Sequence, residues 1–229
     1  MDFSIKILAV IEIFGYDVWI TETLLSTWII MSVLIMFAII VRVKLRAFKE
    51  APSGFQNVVE IMVETFDNFV KTSAGERLRY LGNWYFMVFI FILTSNLSGL
   101  VYGMRPPTAD WAVTFTFALC TFILIQFAGF RYRGRKYAKS LIEPNPVFLP
   151  LNIIGELARP VSLSFRLFGN ILAGMILMSM LYSLAPIYLR FFVPSFLHAY
   201  FDVVAGVLQT YIFCVLSLSF IGVAAADND

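Results

Sequence analysis

The chain is 229 residues long, 60% hydrophobic and 17% aromatic, with a mean hydropathy of +0.82 and a formal charge of only +2. Soluble domains run nearer 45–50% apolar, roughly, so the composition excludes an ordinary soluble enzyme and indicates a polytopic helical membrane protein. The apolar/polar alternation of a membrane β-barrel is absent, and no phosphate-binding Gly-Lys-Ser/Thr loop occurs.

Residues 1–18 are mixed and too short to span. Asp2, Glu12 and Asp17 are acidic where a cleavable signal would be basic, so no signal peptide is expected. The first span is expected over residues 23–41. Thr21, Glu22 and Thr23 suit its start, and Arg42, Lys44, Arg46 and Lys49 follow its end. Ala51-Pro52-Ser53-Gly54 breaks the helix. Over residues 55–72, Phe55, Val58, Val59, Met62, Phe66, Phe69 and Val70 recur at helical spacing, with Glu60, Glu64, Asp67 and Asn68 mostly opposite. That acidic face would not seek anionic headgroups. The reading is therefore a surface helix packed on protein, with interfacial embedding as the alternative.

Spans follow at residues 84–102 and 111–130, the second of them trailed by Arg131, Arg133, Arg135, Lys136 and Lys139. Two long apolar segments, 146–184 and 196–226, close the chain around a break at residues 186–194. The segment 42–81 holds seven Lys/Arg and 131–139 holds five, against Lys6, Arg105 and Arg190 on the other side. The positive-inside rule then puts the amino terminus outside and the carboxyl terminus in the cytoplasm of a multi-pass cell-membrane protein. As continuous helices the last two segments would run ~55 and ~45 Å, against a hydrocarbon core of ~30 Å. They are read as a strongly tilted helical hairpin turning near residues 187–188. The alternative is an interfacial segment up to Pro160 followed by an ordinary span. The fold class is thus all-α: five membrane helices plus one surface amphipathic helix, in a single membrane domain.

Arg166 stands out. Between Glu143 and Arg190 the only other charges are Glu156 and Arg159. A guanidinium at membrane depth costs from about 3 to more than 10 kcal/mol, and it cannot shed its proton. Ser162, Arg166, Asn170 and Ala173 share one helix face, as do Asp202, Gly206, Gln209 and Phe213 on the last helix. In an antiparallel hairpin Arg166 comes level with Gln209, which cannot neutralise it. Asp202 is about two turns nearer the outside and Glu156 about three turns nearer the cytoplasm, ~10–15 Å away along the axis. The missing counter-ion is therefore expected on another chain. Asp202 and Glu156 read as proton-exchanging groups in two aqueous pockets, one toward each face. The plainer alternatives are that Asp202 caps the last helix, that Glu156 pairs with Arg159 at i,i+3, and that Arg166 snorkels to an interface.

Cys120 and Cys214 lie in apolar runs and form no metal or disulfide framework, His198 has no ligand cluster around it, and no cofactor is expected. Asn96-Leu97-Ser98 matches a glycosylation acceptor, by coincidence at the end of an apolar run.

Pro160-Val161-Ser162-Leu163-Ser164-Phe165-Arg166-Leu167-Phe168-Gly169-Asn170, with Gln209 downstream and a short polar tail, resembles subunit a of the F-type ATP synthase, in its bacterial form. Glu156 ten residues before the Arg, Pro107-Thr108-Ala109-Asp110 and Asn96-Leu97-Ser98-Gly99-Leu100 fit the same family. The likeness covers most of the chain from about residue 20. It implies a non-catalytic stator that passes H⁺ or Na⁺ between two offset half-channels and a rotating ring of c subunits, with peripheral-stalk b subunits and the lipid membrane as further partners and no nucleic acid. Arg166 would be the family's essential Arg, attracting the ring carboxylate and blocking leakage. Asn170, Gln209, Asp202, Ser162 and Glu156 would line the ion path or hold Arg166. Asp202 stands where relatives often carry His or Glu, and Met175 where they often carry an acid. A secondary transporter or channel with its own substrate site is the competing class, but no internal repeat supports it.

Overall fold

The computed structural model describes residues 7–13, 15–45, 54–101, 104–140, 142, 145–184, 186 and 189–226. Two strands open it, β1 (Ile7–Ile13) and β2 (Tyr16–Thr21), paired antiparallel with Val10 opposite Trp19 and Glu12 opposite Asp17. Gly15, at φ +81°, supplies the left-handed turn between them. No element is expected there from sequence. The strands carry apolar residues on both faces, so the period of two that would announce them is missing.

The first span, α1 (Glu22–Lys44), begins where the Thr21 hydroxyl accepts a hydrogen bond from the Leu24 amide at 3.2 Å, and Arg42 and Lys44 sit in its last turn. It is apolar all round and mostly exposed, as a lipid-facing helix should be. Thr23 is buried and donates to Asp110 Oδ2 at 3.1 Å. The break at residues 51–53 lies outside the described residues, and so does the expected turn at 187–188.

The amphipathic helix α2 (Phe55–Ala74) buries Val70 and sets the Phe66 ring 5.1 Å from those of Phe86 and Phe89. Arg79 meets Asp67 on its polar side at 3.3 Å. Next come α3 (Gly82–Leu97), α4 (Trp111–Arg133) and the short α5 (Arg135–Ser140). Gly129 lets α5 approach α4, because a Cβ there would meet the Tyr137 ring at 2.7 Å.

Helix α6 (Leu149–Leu184) runs through Pro160 for 36 residues, ~54 Å at 1.5 Å per residue. Helix α7 (Leu189–His198) continues through Pro194, so the break expected across 186–194 is shorter than the sequence suggested. Pro194 is close to the helix start and forfeits one of the early i→i−4 bonds. A π-helical stretch, Ala199–Ala205, joins α7 to α8 (Gly206–Ala225). Among the described residues, five helices are long and apolar enough to cross a membrane, and the all-α membrane class holds, with the β-hairpin as an addition.

The chain forms two compact units. The first takes the chain up to Gln56, with Ile90–Asp110 and Phe168–Thr210; the second takes Asn57–Phe89, Trp111–Leu167 and the chain from Tyr211. Their interiors differ in chemistry. Among the described residues, the first unit buries nine polar side chains against six apolar ones, whereas the second buries four against seventeen. A membrane protein that buries this much polarity in one unit has a use for it, since each group must find a partner or water.

Candidate ion-translocation site

In the second unit, Glu156 and Arg159 lie one turn apart on α6. Arg159 Nη1 is 2.8 Å from Glu156 Oε1 and 3.0 Å from Oε2, and the guanidinium also lies 5.5 Å from the Phe220 ring centroid. The i,i+3 pairing weighed from sequence is therefore present. Gln126 of α4 reaches Glu156 Oε2 across a long 3.5 Å, and its own carbonyl accepts from the Tyr137 hydroxyl at 3.2 Å. Burial pushes the Tyr137 phenol above its ordinary value, and the Glu156 charge adds to that. Glu156, Arg159 and Tyr137 border an open cavity of about 500 Å³.

Arg166 is also in the second unit, and it is exposed, as are Ser162 and Ala173 on the same helix face. Asn170 is half-buried, and a Cβ on Gly169 would meet nothing within 4 Å. No described side chain pairs with the Arg166 guanidinium. Trp111 stacks on the neighbouring Phe165 at 5.8 Å. This stripe of α6 is uncovered. A permanent cation inside an apolar helix cannot face lipid cheaply.

The first unit holds Asn170, Asp202 and Gln209. Asp202 does not cap a helix; it lies inside the π-helical stretch, a rare geometry concentrated at functional sites. Its Oδ2 is 2.6 Å from His198 Nδ1, one turn earlier. Gly99 leaves room beside it: a Cβ there would come within 3.9 Å of the carboxylate. Asn96 anchors the other end of the stretch. Its amide donates to the Gly206 carbonyl at 3.0 Å and to the Thr210 hydroxyl at 3.1 Å, and its oxygen accepts from Thr108 at 2.8 Å. All three side chains are buried. Gln209 Nε2 and Ser95 Oγ are buried with no described partner, as groups facing a water-filled path would be.

Sequence reasoning missed His198, Thr210, Gln126 and Tyr137. The i,i+4 spacing of His198 and Asp202 was legible within the expected helix 196–226, where His198 was read only as lacking a ligand cluster. Among the described residues no group of three or more His, Cys, Asp or Glu side chains could hold a metal.

Comparison with known proteins gives the family. The family model for the ATP synthase A chain matches residues 24–222. ATP synthase subunit a 2 of Acaryochloris marina is 34% identical, covering 90% of this chain and 86% of the relative. ATP synthase subunit a of Moorella thermoacetica is 36% identical over 88% and 89%. The sodium ion specific ATP synthase subunit a of Propionigenium modestum is 32% identical over 95% and 78%.

Proposed function

The chain belongs to the ATP synthase A chain family, and from that premise we propose that it is the membrane stator through which ions reach and leave the ring carboxylates of an ATP synthase. The observation that carries the reading is Arg166, a permanent cation exposed on an apolar helix with no described partner in its own chain. A ring site crossing lipid must be neutral, and it ionises only where water and a fixed cation meet it. Arg166 supplies that cation without carrying protons itself. It holds one deprotonated carboxylate and denies ions a direct passage from one side to the other.

Two routes are assigned, each within one unit. The polar interior of the first unit, with Asp202, His198 and Gln209, forms the half-channel from outside, and Asn170 and Ser162 lie along the helix that carries Arg166. The cavity beside Glu156 forms the route on the cytoplasmic side. Asp202 takes the part that an acid at Met175 would play, and His198 supports it. The chain does no nucleotide chemistry. Its partners are the c-subunit ring at the uncovered stripe of α6, b subunits of the peripheral stalk, and the lipid of a plasma membrane crossed with the amino terminus outside.

The test is Arg166→Gln in the assembled complex. ATP-driven ion pumping and ion-driven ATP synthesis should vanish while the complex still assembles. Substantial ATP synthesis by that variant would sink the proposal.

A further inference from the structure

We propose that the cavity between the end of α4, α5 and the start of α6 binds the phosphate of an anionic phospholipid, held by Arg133. The cavity is about 500 Å³, with Arg133, Tyr137, Asn152, Glu156 and Arg159 among its lining residues. Its charges do not balance. Glu156 and Arg159 neutralise one another at 2.8 Å. Arg133 pairs with no described acceptor, and its Nε is buried without a hydrogen bond. Among the described residues one permanent cation is therefore left over in a partly enclosed space, and such a charge normally has an anion. The planar guanidinium fork matches a phosphate in two parallel bonds.

The surroundings select an amphiphile. Arg133 is the last residue of a 23-residue apolar helix, at the depth of lipid headgroups. On α5, Arg135, Lys136 and Lys139 are exposed and add positive field. The other wall is greasy: Leu151 and Val223 line the cavity yet are 63% and 65% exposed, and Ile154 on the next face of α6 is 62% exposed. A headgroup phosphate at Arg133 would lay its acyl chains along that wall. The proposal shares its cavity with the cytoplasmic ion route assigned above, and because Glu156 keeps Arg159 as its partner the phosphate is assigned to Arg133.

The experiment strips the purified complex of lipid and offers it phosphatidylglycerol, phosphatidylcholine or inorganic phosphate. Retained lipid is counted by native mass spectrometry. Phosphatidylglycerol should be retained over phosphatidylcholine, and Arg133→Gln should cut its retention by about tenfold, as expected for a lost charge-assisted fork. Arg135→Gln, on the exposed side of the same basic run, should retain it fully. If Arg133→Gln fails to assemble, Arg133→Lys keeps the charge and loses the fork, and its retention should fall by several-fold. Unchanged retention in either Arg133 variant overturns the proposal. An equal loss in Arg135→Gln shows diffuse attraction and also overturns it. Bound inorganic phosphate without preference for phosphatidylglycerol would replace the lipid with a free anion. Ion conduction by the same variants, whatever its value, does not enter the test.

Discussion

His198 Nδ1 lies 2.6 Å from Asp202 Oδ2 within one turn of a helix that is π-wound at that point. The pair gives the carboxylate a hydrogen-bonding partner, while position 175 is Met175 here. Asp202→Asn should slow passive ion conduction through the membrane sector by about tenfold or more, the scale of losing a positioned proton-transfer group. His198→Ala should slow it less, and His198→Asn, which keeps a short polar arm, less again. Valinomycin-driven ion uptake into vesicles reads all three. An unchanged rate in Asp202→Asn would move the relay elsewhere.

Asn96 spends its amide on Gly206 and Thr210 and its oxygen on Thr108, all buried. Asn96→Leu strands the Thr108 hydroxyl, while the Gly206 carbonyl keeps the Thr210 hydroxyl at 2.8 Å. It should cost about 1–3 kcal/mol per orphaned group. Thr108→Val removes one donor and should cost about 1 kcal/mol. Thermal unfolding of the detergent-solubilised complex should rank them in that order. A Thr108 variant as damaging as Asn96→Leu would mean the network is centred elsewhere.

Tyr137 offers a reporter on Glu156. Burial is the main reason its phenol titrates high, and the nearby carboxylate pushes in the same direction because it repels the phenolate. Glu156→Gln removes that repulsion, so the Tyr137 titration should move down, toward the ordinary tyrosine value. Replacing Tyr137 with Phe in both backgrounds isolates its absorbance change near alkaline pH. An upward shift in Glu156→Gln would place the carboxylate away from the ring.

Gly129 is where α4 and α5 meet most closely. A Cβ would sit 2.7 Å from the Tyr137 ring. Gly129→Val should push α5 away and destabilise the fold by about 1–3 kcal/mol, the usual cost of overpacking. Pairing it with Tyr137→Ala should recover much of that loss; full additivity of the two would contradict the contact.

The spans were legible because length and hydrophobicity alone set them: each run is long enough to cross, and basic residues mark several ends. Arg166 was legible for the same reason in reverse, as a charge where none is tolerated. The β-hairpin was not. Ile7–Ile13 shows no alternation, and a short apolar run does not distinguish strand from helix. The π-helical stretch was invisible too, since no residue type marks it. Its position at Asp202 depends on how Asn96, fully 110 residues away in sequence, holds Gly206. The buried network of the first unit joins Asn96, Thr108 and Thr210; the stretches holding Asn96 and Thr108 were legible as fitting the family, but nothing in their spacing showed that the side chains meet.

The uncovered stripe around Arg166 also bears on how the protein is made. A newly synthesised copy inserted by itself would strand its guanidinium against acyl chains, and the penalty would fall on every orphan. Biogenesis should then be ordered, with whatever covers the stripe present first and unaccompanied copies removed by membrane proteases rather than stored.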